Sequence, residues 1–165
     1  MKRNTRLFGT VVLIVMLAMV TVIPAFAGEK EPPQKALTFR AHLSGAQEVP
    51  PVDTAASGVA LFRFNRDTSV MFYKVAVFNI DDVVASHIHC APAGVNGPVG
   101  VTLFSGGPVT LNGLLAKARV TAPDPGNACG WETLEDVVAA LQSGNGYVNV
   151  HTLAHPPGEI RGQIH

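Results

Sequence analysis

The chain has 165 residues, 47% of them hydrophobic, with 12 Lys+Arg against 12 Asp+Glu. That length and composition suit one domain with a hydrophobic core of its own. The balanced charge and the lack of any basic run argue against nucleic acid as a partner.

Residues 1–27 read as a secretory signal. Lys2, Arg3 and Arg6 form a positive n-region, Val11 to Ile23 is apolar apart from Thr21, and Ala25-Phe26-Ala27 fits a small-x-small cleavage site. Cleavage is expected to leave residues 28–165, with a formal charge of −3 once those three bases are gone. It would also leave no transmembrane segment and an address outside the cytoplasm, periplasmic or secreted. Residues 28–36 are a polar, Pro-rich lead-in, and a single domain is expected over 37–165.

From Ala36 the pattern turns to strand. Leu37, Phe39 and Ala41 alternate with Thr38, Arg40 and His42, and a turn-rich stretch from Ser44 to Thr54 follows. The runs Gly58 to Phe64 and Val70 to Ile80, separated by Asn65-Arg66-Asp67, predict a β-hairpin. In the second run Phe72, Lys74, Ala76 and Phe78 share one face, and Met71, Tyr73, Val75 and Val77 share the other. Phe62, Phe64, Phe72, Phe78 and Phe104 are expected in the core. Asp81-Asp82 reads as a solvated turn.

Ala85 to Cys90 and Val99 to Phe104 predict further strands around a Gly/Pro-rich loop, Ala91 to Pro98. Leu114 to Thr121 suits either strand or helix, and Pro123-Asp124-Pro125-Gly126 ends it. Leu134, Val137, Val138 and Leu141 fall at i, i+3, i+4 and i+7, which predicts one helix over Thr133 to Gln142. Thr133 and Asp136 resemble a capping box, and Ser143-Gly144 stops the helix. Trp131, just before it, is expected to pack on the sheet. Tyr147 to Thr152 and Glu159 to Ile164 read as a closing strand pair. The fold class is therefore all-β: a Greek-key-like β-sandwich or flattened barrel with one inserted α-helix near 133–142.

Cys90 and Cys129 are the two cysteines. An even count in an exported chain favours a disulfide. The competing reading makes Cys90, beside His89, a soft metal ligand.

Candidate chemistry gathers on histidines. His87-Ile88-His89 on a strand puts both imidazoles on one face, and Tyr147, Asn149 and His151 share a face of a later strand. If the strands are neighbours, one outer surface collects His87, His89, His151, Tyr147, Asn149, Glu159 and Arg161. The loops Ala91 to Pro98 and Leu153 to Gly158 are placed to cover it, and His155 to return toward it. Two chemistries fit. The imidazoles can bind copper or zinc through His87, His89, His151 and His155. Alternatively, Glu48, Tyr147, Asn149, Glu159 and Arg161 form an outer polar network with them, in which Arg161 pairs with Glu159 or Glu48 while Asn149 and the imidazoles fasten the covering loops by hydrogen bonds. His42 is expected at the surface and His165 mobile at the chain end. No nucleophile elbow or P-loop appears, so an enzyme is the least favoured reading.

Five ordered segments carry a family likeness: LSGAQEVPPV (Leu43 to Val52), AASG (Ala55 to Gly58), HIHCAPAGVNGPV (His87 to Val99), GNGYVNVHT (Gly144 to Thr152) and HPPGEIRGQI (His155 to Ile164). Together they resemble the CHRD domain, the module first described in chordin and also found in many exported bacterial proteins. The resemblance runs from about Phe39 to Ile164. It implies an all-β extracytoplasmic domain and names no catalytic residue. The cysteine-rich repeats that flank the module in chordin are missing here, so that protein's signalling role is not carried over.

The leading expectation is thus a binding or structural role outside the cytoplasm, toward a protein, glycan or surface component. A copper or zinc site is the alternative. The His-x-His strand beneath covering loops also invites a fold-level comparison with Cu/Zn superoxide dismutase. This chain follows it with CAPAGVNGP rather than that enzyme's acidic Gly-rich segment.

Overall fold

The computed structural model describes residues 36–165. The expected signal segment and most of the lead-in lie outside the described residues. Six strands and one α-helix follow in order: β1 (Thr38–Ser44), β2 (Ser57–Phe64), β3 (Met71–His89), β4 (Val99–Val120), α1 (Leu134–Gln142), β5 (Tyr147–Thr152) and β6 (Ile160–Gln163). A single 3-10 turn, Gly45–Gln47, follows β1. No helix among the described residues is long and apolar enough to cross a membrane.

The sheet closes on itself. Its order is β2-β1-β6-β5-β3-β4, and an additional β2–β3 pairing makes a five-strand barrel-like ring with β4 as the extra strand. The predicted hairpin is present, with Ser57↔Phe78 through Phe64↔Met71 in antiparallel register. Asn65 and Val70 close its turn by a backbone bond of 3.0 Å.

β3 is the shared wall. Its first half pairs with β2 and its second half with β5, while β4 follows it from Met71↔Val120 to His89↔Val99. Two pairs of runs that look separate in sequence are therefore two continuous strands, and the segment that suited either strand or helix is strand. Bulges make this possible. Asn79 and Asp82 take positive φ of 51° and 51°, a conformation that Asn and Asp tolerate. Side chains of β4 catch the displaced amides: Asn79 N donates to Asn112 Oδ1 and Asp82 N to Thr110 Oγ1. The Asp81-Asp82 pair is exposed as expected, but within a bulged strand rather than a turn.

The inward faces alternate as period two requires. Phe62, Phe64, Met71, Val75, Val77, Ile80, Val83, Ile88, Val101, Val148, Val150 and Ile160 form the core, with Leu134, Val137, Val138 and Leu141 of α1 packed onto it. The helix starts at a complete capping box between Thr133 and Asp136. Trp131 is buried against Gly100, where a β-carbon would collide with the indole. The Cys90–Cys129 disulfide ties the end of β3 to the loop before α1 across 39 residues, and this excludes Cys90 as a metal ligand. On the chain-entropy account, closing a loop of that length stabilises by about 3–4 kcal/mol.

Two expectations need correcting. Phe72 and Phe78 are 47% and 42% exposed; they sit on the Lys74 face of β3, and the opposite face fills the barrel. His165 is not loose, because Arg40 and His165 exchange two backbone hydrogen bonds.

Candidate metal centre

The site lies on the outer side of β3 and β5, where the register makes neighbours of His87 and Asn149, of Ala85 and His151, and of His89 and Tyr147. Period two then sends His87, His89, Tyr147, Asn149 and His151 to one side of the sheet, opposite Ile88, Val148 and Val150. The next strand continues the layer with Asn149↔Arg161.

This outer side is not solvent-facing. Tyr147, Asn149, Arg161, Glu48, Glu159 and His89 are all buried, because both anticipated loops fold over them. Arg161 holds the first loop: Nη2 donates to the carbonyls of Pro92 and Val95, and Nη1 to Asn96 Oδ1. Asn96 in turn donates to the Val49 carbonyl and brings in the segment after β1. The second loop is held by Asn149 Nδ2 on the Pro157 carbonyl and by Gly158, packed so closely on Asn149 that a β-carbon would clash.

The expected pairing of Arg161 with Glu159 or Glu48 gives way to these bonds. Loop carbonyls stripped of water need donors, and the guanidinium supplies several in one plane. Glu159 instead accepts from the Thr54 and Thr152 hydroxyls. Glu48 accepts from Asn149, and burial pushes its carboxyl up to about 7, against the opposing charge of Arg161.

Three imidazoles converge beneath the loops. One ligand atom from each of His87, His89 and His151 can be chosen so that all lie within 4.8 Å of one another. His151 Nδ1 donates to the Pro156 carbonyl at 2.9 Å, and His89 Nδ1 to the Gly97 carbonyl at 2.9 Å. A carbonyl can only accept, so in the neutral rings both Nε2 atoms carry lone pairs. His151 Nε2 meets His87 Nδ1 at 3.1 Å. His89 Nε2 is buried and has no hydrogen-bond partner.

Burial works against the charged form of all three rings. Burial, with repulsion from His151 and His89, lowers His87 to about 4; burial first, then the neighbouring His151 and Arg161 charges, lowers His89 to about 4. His151 is lowered by burial as well. Neutral imidazole is the metal-binding form. Backbone carbonyls on the distal Nδ1 of two of the three rings fix tautomer and orientation, the usual outer support of a histidine ligand.

His155 does not join the three. Its backbone closes the turn of the covering loop, with N donating to Thr152 Oγ1 and O accepting from Gly158 N. The spacing that suggested a fourth ligand serves that turn instead. Asp124, read from sequence only as part of a strand-ending turn, lies where its charge acts on His87, held by the Thr102 amide and hydroxyl. No local signal marks it, since Thr102 faces His87 only through the β3–β4 register.

A family model of the CHRD domain matches residues 39–164. No curated protein and no solved structure matches the chain. The match spans nearly all of the closed sheet, the helix and the covered histidine layer, and the chain belongs to the CHRD domain family.

Proposed function

We propose that this CHRD domain is an exported transition-metal-binding module that takes copper or zinc on His87, His89 and His151. The observation that carries the reading is the buried, unpartnered Nε2 of His89, set beside the two other imidazoles. A purely structural network would leave that lone pair unsatisfied, at a cost of about 1–3 kcal/mol. Two nitrogens each about 2.0–2.1 Å from one tetrahedral ion lie about 3.3 Å apart, close to the 3.1 Å between His87 Nδ1 and His151 Nε2. An ion bound between those two atoms would take the place of the shared proton, which would move to His87 Nε2 as the ring changes tautomer. Three protein ligands leave a coordination position for a small molecule or a partner's side chain. Redox catalysis at such an ion is a narrower hypothesis, which superoxide or oxidase turnover by metal-loaded protein would test.

Export is supported by the signal-like pattern of residues 1–27 and by the Cys90–Cys129 disulfide. Cell fractionation with and without residues 1–27 tests it.

The test of the site is calorimetric titration of residues 28–165 with Cu(II) and with Zn(II), beside a His87→Ala/His89→Ala variant checked for folding by circular dichroism. One ion bound per chain, lost in the folded variant, is the expected result. No binding by the native sequence, or unchanged binding by the variant, overturns the reading. The polar layer would then be the brace of a domain that recognises a macromolecule.

A further inference from the structure

The two halves of β3 differ in what covers their outer side. Loops cover His87 and His89; nothing among the described residues covers the first half, where Phe72, Lys74 and Phe78 are exposed. Antiparallel register turns this bare face into rows. Arg40, Leu61, Lys74 and Lys117 stand opposite one another across β1, β2, β3 and β4, and Thr38, Arg63, Phe72 and Arg119 form the adjacent row. Leu114, opposite Ala76 and half exposed, joins Leu61, Phe72 and Phe78 as an apolar side chain on this side. Five cations therefore share one sheet face, in a chain whose bases and acids are equal in number. No Asp or Glu occurs in β1, in β2, or in the facing stretches 71–80 of β3 and 111–120 of β4.

This face carries a local cost. Lys74 stands directly opposite Lys117, and like charges so placed destabilise a sheet. Leu61, Phe72 and Leu114 are 50%, 47% and 52% exposed between the cations. Neither feature helps the isolated domain, and both are relieved together by a partner that is anionic and also accepts apolar side chains.

We propose that this face docks on an anionic lipid bilayer, with Leu61, Phe72 and Leu114 entering the headgroup boundary and Arg40, Arg63, Lys74, Lys117 and Arg119 meeting the lipid phosphates. Interfacial binding combines buried apolar area with attraction to anionic lipid. Four strands about 4.8 Å apart spread the charges over two dimensions, which suits an array of headgroups better than a linear chain. A purely charged polyanion would leave the three apolar side chains in water. A second copy placed face to face would set five cations against five.

The compact unit Pro33–His165 holds every described strand, the core and the disulfide, so residues 28–165 can be tested as a folded domain. The experiment is flotation with vesicles of phosphatidylcholine alone, and of phosphatidylcholine with about one third phosphatidylglycerol, at about 0.1 M salt, where the Debye length is about 10 Å. Flotation only with the anionic vesicles is expected, falling in high salt, and falling about tenfold or more in Lys74→Glu/Lys117→Glu and in Phe72→Ser. The His87→Ala/His89→Ala variant should float like the native sequence, which separates this surface from the metal reading. No flotation with anionic vesicles, or equal flotation of Lys74→Glu/Lys117→Glu checked for folding, overturns the proposal. Retention on heparin or polyaspartate without vesicle binding also overturns it, in favour of a soluble polyanion or acidic protein.

Discussion

His89 stacks on Tyr147, with ring centroids 4.9 Å apart and planes 11° from parallel, and the Arg161 guanidinium carbon lies 3.5 Å from the centre of the same tyrosine ring. The candidate ligand, the aromatic ring and the cation that holds the covering loop are thus one packed unit. Tyr147 also reaches the loop itself, its hydroxyl 3.1 Å from the Gly97 amide that donates to it.

Arg161 should therefore matter to stability and to the site together. Arg161→Met keeps much of the volume but removes the donors to Pro92, Val95 and Asn96. A loss of about 2–4 kcal/mol is expected from buried acceptors left without partners. Urea denaturation measures it, and faster amide exchange over residues 91–98 would locate it.

His89→Phe separates the two readings of the histidines. In chelator it exchanges a buried, unpartnered polar ring for an apolar one, at the cost of the bond to the Gly97 carbonyl. Metal-free stability should change by about 1 kcal/mol or less, because these effects oppose. The rise in melting temperature on adding copper or zinc should vanish. A variant that still gains the full rise shows that His89 is not a ligand.

The metal-free domain should show a stability maximum near neutral pH. His87 and His89 fall from the ordinary 6.5 to about 4 on folding. Between those values the unfolded chain binds protons that the native rings refuse, so stability is lost as pH falls. Glu48 acts the other way: its carboxyl rises from 4.5 to about 7, so the native state keeps a proton the unfolded chain releases, and stability declines as pH rises through that window. Two histidines outweigh one glutamate below 6.5. Glu48→Gln should steepen the rise toward neutrality and remove the decline near 7, as read from urea midpoints across the range.

Replacing both cysteines by serine should lower stability by about 3–4 kcal/mol. Denaturation of the native sequence with and without reductant should reproduce the difference. The histidine cluster should survive at low denaturant, since Cys90 points away from it.

The strands with period-two patterning, the capped helix and the sharing of one face by His87 and His89 were legible because each depends on neighbours within a few residues. The role of Arg161 was not. Its position showed that it faced outward and pointed to a carboxylate partner, Glu159 or Glu48, whereas its partners are loop groups more than sixty residues earlier in the chain. Phe72 illustrates the same limit. Alternation sorts residues into two faces but does not say which is covered, and barrel closure settled that by enclosing Met71, Tyr73, Val75 and Val77. The absence of a basic run was likewise uninformative about the charge of the β1–β4 face, where five cations from four strands meet only across the ladder.

What the sequence by itself determined is the local pattern: alternating strands, one helix with its cap, two cysteines to pair, and imidazoles spaced to share a face. The tertiary structure alone decided that β3 and β4 run unbroken through their bulges, that His155 closes a turn instead of joining His87, His89 and His151, and that Arg161 holds the covering loop. The physical reason is that side-chain direction is set by backbone geometry a few residues long, whereas burial, hydrogen-bond satisfaction and charge clustering depend on which distant strands the closed sheet brings into register.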